Sequence, residues 1–334
     1  MNPTELRQPL MEAEKILCIS HVNPDGDAFG SLLGMGHILA RMGKQPTLSL
    51  QDDVLPHFVF LPGADTIVGP DQVDADYDLI VVLDASSQDR MGRVFRPADH
   101  GHIPMMVIDH HVTNTYFGQI NWVDPTCAAT CQMLIYLADA LGIELDGDLA
   151  VCLLTGLVTD TLCFRTDGTD ARVMEAGMRL MQGGARLADI TARTVNRQAY
   201  RTFNLWGEVF PSIRLEEGVI WACLRIADFQ AANAPVGEDG SLSGKLIMAD
   251  EADVSATFIE KINDAGQHVV ECSFRAKTGF DVAQLALSYG GGGHPPAAGC
   301  TIVGPFDEVV AQVVADLKST RGVQSAARNG QVRV

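Results

Sequence analysis

Leu79-Ile-Val-Val-Leu83 is apolar at every position and runs straight into Asp84. An unbroken apolar run of strand length, bounded by acids, fits a strand buried on both faces, the habit of parallel sheets covered by helices. Pro104-Met-Met-Val-Ile108 repeats the pattern and runs into Asp109, and Ile16-Leu-Cys-Ile-Ser20 runs into His21. Residues 46–50 read as a further strand. Residues 31–42, closed by Gly43, have helical periodicity, and Asn23-Pro-Asp-Gly-Asp27 before them reads as a turn. The alternation predicts an α/β domain: a parallel sheet with helices on both faces. Ligands of such sheets bind at the carboxyl ends of the strands. Residues 20–21, 84–86 and 109–111 therefore hold the chemistry.

The 334 residues are enough for two domains. Helical spacing covers 130–141, 149–161 and 170–181, the last ended by Gly183-Gly184, and 186–203 reads as a connecting helix. Beyond Trp206 the pattern changes. Strands are predicted at 219–225, 254–259 and 268–275, short helices at 243–248 and 281–288, a loop at 290–293, and a frayed tail from Ser319. The expected organisation is the α/β domain at 1–188, a linker helix at 189–205, a smaller α+β domain at 206–320 and a tail at 321–334.

The chain is acidic, 24 Lys and Arg against 42 Asp and Glu, a net −18. That balance repels long nucleic acid and anionic membranes and excludes a generic DNA-binding module. Residues 1–190 hold 11 basic and 26 acidic residues, a net −15, and residues 191–334 hold 13 and 16, a net −3. The eight Cys include no Cys-x-x-Cys pair. Cys127 and Cys131, four apart on one helical face, could pair on a metal; small buried thiols in a reducing cytoplasm is the preferred reading. Residues 1–14 lack a signal-peptide hydrophobic region, and no apolar run reaches the ~18 residues of a membrane span, so a cytoplasmic location is expected.

Four groups of Asp and His stand out: His21 with Asp25 and Asp27, then Asp84, then Asp109-His110-His111, then Asp160 on a helix. Each alone reads as a helix cap or turn. Together, at strand ends of one sheet, five carboxylates would repel unless cations neutralise them. Carboxylates and imidazoles without thiolate suit Mn2+ or Mg2+, with Fe2+, Co2+ or Zn2+ compatible, and imidazole favours Mn2+. The ligand number calls for two ions.

His-x-x-Pro-Asp-x-Asp followed by Gly30-Ser31, a lone Asp84, Asp109-His110-His111 and a later Asp160 resembles the motif order of the DHH phosphoesterases. Gly291-Gly292-Gly293-His294 and Ser273-Phe-Arg275 resemble the signatures of their DHH-associated C-terminal domain. The compact form is most similar to the nanoRNase and pAp-phosphatase group. The resemblance implies hydrolysis of short oligoribonucleotides to mononucleotides and of 3′-phosphoadenosine 5′-phosphate (pAp) to AMP. It implies one metal on His21, Asp25 and Asp84, and a second on Asp27, Asp84, His110 and Asp160. It further implies His111 facing the substrate phosphate, Asp109 orienting the site, and Ser273, Arg275, His294, Gly291, Gly292 and Gly293 binding substrate. A homodimer is also suggested. Leu162, Ala276 and Pro295-Pro296 depart from the family pattern.

A water shared by two metals would attack phosphorus. The ribose oxygen leaves with a proton from His111 or from metal-bound water, and the sequence does not choose. If the site lies in a cleft between domains, Arg275 and His294 act as a ruler for short substrates. Arg165 reads equally as a substrate contact or as a surface residue paired to Asp167 or Asp170. His37, His57, His100 and His102 read as structural or surface, the row with Arg193 and Arg197 as a solvated face, and Trp122, Trp206 and Trp221 as packing. The runner-up activity is a cyclic- or linear-dinucleotide phosphodiesterase; the non-enzyme alternative is a nucleotide-sensing binding protein.

Overall fold

The computed structural model describes residues 3–263 and 265–331. The chain divides into two compact units, Met1–Arg197 and Gln198–Val334. The first contains α1 (Arg7–Glu12), β1 (Ile16–Ile19), α2 (Gly26–Arg41), β2 (Thr47–Ser49), β3 (Leu79–Leu83), α3 (Pro97–His100), β4 (Met105–Asp109), β5 (Ile120–Val123), α4 (Thr130–Leu141), α5 (Gly147–Asp160), α6 (Ala171–Gln182) and α7 (Leu187–Arg193). The second contains α8 (Tyr200–Val209), β6 (Arg214–Glu216), β7 (Val219–Leu224), α9 (Ile226–Ala231), α10 (Leu242–Leu246), β8 (Val254–Ile262), β9 (His268–Ala276), α11 (Ala283–Ser288), β10 (Gly292–His294), β11 (Ala297–Val303) and α12 (Phe306–Gln331). Among the described residues no helix is long and apolar enough to cross a membrane.

The first sheet has the order β2-β1-β3-β4-β5 with every pair parallel. Its three central strands, β1, β3 and β4, are buried throughout because alternate residues feed two cores. Ile16, Cys18, Val81, Met106 and Ile108 join a core with Phe29, Leu32, Leu134 and Leu153 of α2, α4 and α5. Leu17, Ile19, Ile80, Val82 and Val107 join a smaller one with Val73, Met91, Val94 and Phe95. The second face is thus closed by the 3-10 turns of Gln88–Val94 and the short α3 rather than by long helices.

Helix α2 starts five residues before the predicted helix. The Asp25 carboxylate caps it, accepting from Asp27 N at 3.0 Å and Ala28 N at 3.1 Å. The expected turn at 23–27 is therefore a cap and first turn, and Asp27 is helical. α2 and α5 cross with almost no space between their backbones: a Cβ on Gly30 would sit 2.7 Å from Cys152 O and 2.9 Å from Gly156 N.

The predicted connecting helix is two helices, α7 and α8, broken where Thr194, Val195 and Asn196, poor helix formers, stand in sequence. In the second unit the order is β10-β11-β9-β8-β7-β6, antiparallel except for the parallel pair β7–β8. The glycine run expected as a loop at 290–293 enters an edge strand, β10, which returns through Pro295-Pro296 into β11. The segment expected to fray from Ser319 continues α12, because Arg321 pairs with Asp253 and Gln324 bonds both to the Asp281 amide and to its carbonyl; Val332 to Val334 lie outside the described residues.

The α2–α5 contact is backbone against backbone and cannot relax through a rotamer. Gly30→Ala is expected to lower the free energy of unfolding by about 1–3 kcal/mol in urea titrations. Gly207→Ala, in α8 with nothing within 4 Å of the new methyl, is expected to raise it by up to about 1 kcal/mol.

Candidate metal centre

Strands β1, β3 and β4 lie side by side, so the residues that follow them meet at one edge. Ser20 Oγ donates to Leu83 O at 2.8 Å and ties the first two ends together. Asp84 turns inward with φ 59, its amide donating to Ile108 O at 3.0 Å. Asp84 is the hub. His21 Nε2 lies 3.5 Å from Asp84 Oδ2 and 3.9 Å from Asp25 Oδ1; His110 Nε2 lies 3.7 Å from Asp84 Oδ1 and 3.2 Å from Asp160 Oδ2. Two three-residue groups, His21–Asp25–Asp84 and Asp27–His110–Asp160, each bring their ligand atoms within 4.8 Å of one another, as does Asp84–His110–His111.

Asp27 is fully buried, and the start of α4 holds it: Thr130 N donates to Oδ2 at 2.6 Å and Cys131 N to Oδ1 at 3.0 Å. A helix N-terminus is a natural seat for a carboxylate. Thr130 Oγ1 donates to Asp84 Oδ1 at 3.0 Å, so one helix start steadies two acids. Asp160 is the last residue of α5. Beyond it Leu162, Cys163 and Phe164 run at φ 48, 62 and 61, a left-handed stretch that costs these side chains about 1–2 kcal/mol each. Leu162, a departure from the family pattern, thus stands where glycine would be unstrained.

Burial pushes the Asp27 carboxyl well above the ordinary carboxylate range, with Asp84 and Asp160 adding to it. Burial likewise raises Asp160, against the hydrogen bond from His110, to about 6. Burial works to raise Asp84 too, but His21, His110 and His111 outweigh it and hold it below its usual value. His110 is the reverse case: burial would lower it, yet Asp160, Asp84 and Asp27 carry it up to about 10. Without cations this cluster keeps protons to balance its charge. Buried oxygen and imidazole donors in converging sets of three are what hard or borderline divalent cations require, so the residues fit such ions.

Asp109 is fully buried and accepts from His111 Nδ1 at 2.7 Å and from Asn114 Nδ2 at 2.6 Å. Asn114 Nδ2 also donates to Ala85 O at 3.1 Å. The pair fixes His111 with Nε2 outward, its side chain 35% exposed. Burial depresses the His111 imidazolium, but Asp109 and Asp84 raise it above its usual value. Asn114 and Thr130 escaped the sequence reading. Asn114 lies in a loop with no periodicity, and Thr130 acts through a helix start whose preceding strand, β5, was not predicted.

The structure also places the other residues singled out in the sequence. Arg165 is exposed and donates through Nε to Leu162 O at 2.7 Å; it pairs with neither Asp167 nor Asp170 among the described residues, and Asp170 instead caps α6 and binds Arg172. Cys127 and Cys131 are buried and belong to no convergent ligand group among the described residues. His100 ends α3 rather than lying in a loop, fully buried between Arg96 N and Asp74 O. Arg193 and Arg197 are exposed, and Arg193 lies over the Phe60 ring.

In the second unit, strand register puts four of the expected substrate residues, Ser273, Arg275, Gly292 and His294, on one sheet face, while Gly293 pairs with Ala298 on the other and Gly291 precedes the strand. Arg275 pairs with Ala297 and Ala297 with His294; Ser273 pairs with Gly299 and Gly299 with Gly292. The face opposite carries Phe274, Ala298, Cys272 and Cys300 into the core. Arg275 is half-buried, donates to Phe274 O at 2.8 Å, and makes no ion pair among the described residues. Burial draws its pKa below the usual guanidinium value against the pull of Asp239. Gly291 and Gly293 are required by packing, since a Cβ would meet Gly299 O at 2.1 Å and Ala297 O at 2.5 Å. Gly292 meets nothing within 4 Å, so its bare Cα leaves the sheet face low between Ser273 and His294.

Residues 15–157 match the model of the DHH family, N-terminal domain. The chain is 34% identical over 290 residues to the bifunctional oligoribonuclease and PAP phosphatase NrnA of Thermus thermophilus, covering 86% of this chain and 84% of that one. The chain belongs to the DHH family. It is also 26% identical over 324 residues to the protein of that description in Bacillus subtilis, covering 95% and 97%. The crystal structure of an exopolyphosphatase-related protein from Bacteroides fragilis has the same fold, with a TM-score of 0.84 at 22% identity over 95% of this chain and 96% of that one. In this DHH-family chain the Asp-His-His triplet is Asp109, His110 and His111, at the end of β4.

Protons and cations compete for these ligands. Asp160, raised from 3.8 to about 6, stabilises the cation-free fold fully below its unfolded pKa and loses that contribution as pH rises through 6. His110, raised from 6.5 to about 10, keeps its contribution until pH rises towards 10. Added Mn2+ is therefore expected to raise the melting temperature, with an increment that grows between pH 5 and pH 8. Differential scanning at fixed free Mn2+ checks this, and an increment independent of pH contradicts it.

Proposed function

We propose that this chain is a hydrolase of phosphate esters that degrades short oligoribonucleotides to mononucleotides and converts pAp to AMP, with two divalent cations as cofactors. The observation that carries the reading is the convergence of His21–Asp25–Asp84 and Asp27–His110–Asp160 on one sheet edge. The names of its relatives in Thermus thermophilus and Bacillus subtilis supply the substrate class.

His21, Asp25 and Asp84 would hold one cation, and Asp27, Asp84, His110 and Asp160 the other, with Mn2+ favoured by the imidazoles. Bound there, such ions supply Lewis-acid stabilisation of a phosphoryl oxygen and lower the pKa of water. The chain's own contribution is positional and acid–base. Asp109 fixes the His111 Nδ1 proton, so the proton His111 can hand over is the one on Nε2. Its raised pKa keeps that nitrogen protonated nearer neutral pH, as a general acid requires. The ribose oxygen leaving phosphorus takes this proton, and water supplies the hydroxyl that replaces it. Asn114 holds Asp109 and thereby the ring. In the second unit Arg275 presents a guanidinium without a carboxylate partner among the described residues, a donor fork suited to a substrate phosphate, with Ser273, Gly292 and His294 on the same face.

The test is a substrate panel in Mn2+: 5′-labelled RNA from dimers to 24-mers, pAp, and cyclic and linear dinucleotides. Turnover of pAp and the shortest RNAs, with the 24-mer poorest, is expected. No turnover of any substrate overturns the enzyme reading, and preference for the 24-mer overturns the short-substrate reading. Arg275→Ala is expected to raise KM about 10-fold or more, the loss of a charge-assisted hydrogen bond of about 1.5–3 kcal/mol, while Mn2+ binding is retained.

A further inference from the structure

The 3-10 segment Gln88–Val94 follows Asp84 and docks on the loop after β1. Val22 N donates to Arg90 O at 2.8 Å, and Arg93 N donates to Gln51 Oε1 at 2.9 Å. Between these anchors Gly92 takes φ 56 with almost no room, since a Cβ would lie 2.3 Å from Gln51 Oε1 and 2.6 Å from Val22 Cγ1. The segment is fixed on either side of Gly92 and holds the Arg90 side chain over His21, with Nη2 at 2.9 Å from Nδ1.

That contact has a competitor. The same His21 Nδ1 lies 2.9 Å from Val22 O. A ring nitrogen carries either a hydrogen or a lone pair, so it can donate to the carbonyl or accept from the guanidinium, not both. Nε2, facing Asp25 and Asp84, offers a lone pair to a cation only in the neutral tautomer with hydrogen on Nδ1. In that tautomer Nδ1 donates to Val22 O, and Arg90 faces an N–H instead of an acceptor. The guanidinium must then find another partner. Arg90 makes no ion pair among the described residues; adjacent Asp89 feels its charge through solvent. A half-buried arginine without an ion-pair partner, beside an acidic cluster in the more acidic half of the chain, is placed to receive an anion.

We propose that Arg90 binds a non-bridging phosphate oxygen of the substrate, as a second guanidinium besides Arg275, and that a cation on His21 releases it for this role. The inference rests on the phosphoesterase reading above. It makes Arg90 a residue that responds to the charge on the scissile group and stands on the same unit as His21.

The experiment compares wild type, Arg90→Gln and Arg90→Lys in three measurements: steady-state hydrolysis of pAp, calorimetric binding of pAp to Mn2+-loaded protein, and calorimetric binding of Mn2+ alone. KM and the pAp dissociation constant are expected to rise about 10-fold or more in Arg90→Gln and to recover in part in Arg90→Lys, with Mn2+ affinity within about two-fold of wild type. Unchanged pAp binding in Arg90→Gln overturns the proposal. So does a loss of Mn2+ affinity that accounts for the weaker pAp binding, because Arg90 would then only hold His21. If wild type binds pAp without hydrolysing it, the phosphoesterase reading fails by itself, and the binding comparison still decides the role of Arg90.

Discussion

Asp27, Asp84 and Asp160 cannot all be charged in dry protein without a counter-charge, and much of the first unit exists to keep them together. Three adjacent parallel strands end at one edge and deliver His21, Asp84 and Asp109. Two helices crossing at Gly30 and Gly156 bring Asp27 and Asp160 to the same place. The α4 start donates two amides to Asp27, and Thr130 ties Asp84 to that helix. Burial, together with the repulsion these contacts soften without removing, makes Asp27 and Asp160 hold protons more tightly than free side chains do, and the acids do the same for His110. Divalent cations are the natural replacement for those protons.

The parts legible in the sequence are those with a strong local signal. Leu79 to Leu83 announces a doubly buried strand because nothing polar interrupts it, and the parallel sheet follows from repeats of that pattern. Once the strands are placed, Asp84 and Asp109 to His111 follow. Other features depend on what a residue touches across the fold. The α2 start moved to Gly26 because the Asp25 carboxylate caps it. β5 and the return strand β11 were missed, and with them the true setting of Thr130 and of the glycine run. α12 extends past Ser319 only because Arg321 and Gln324 find partners far away in the chain. Asn114 stands in a loop and Arg90 in a short 3-10 segment, where their value lies entirely in being 2.6 Å from Asp109 and 2.9 Å from His21.

The net charge of −18 takes on a more specific meaning in this light. In the proposed reading, part of the acid in the first 190 residues is a ligand set whose charge cations would cancel. The remainder is surface, and it disfavours long polyanions. Among the described arginines without an ion pair, two are half-buried beside residues of the proposed site: Arg90 next to His21, and Arg275 on the open face of the second sheet. Small phosphate esters need only such local positive charge, whereas a long strand needs a continuous basic track.

The central claim is that the six converging side chains form two cation sites rather than one or none. Anomalous scattering at the manganese edge from crystals grown in Mn2+ tests it directly. The account predicts two peaks, one among His21, Asp25 and Asp84 and one among Asp27, His110 and Asp160. A single peak, or peaks away from these residues, would contradict it.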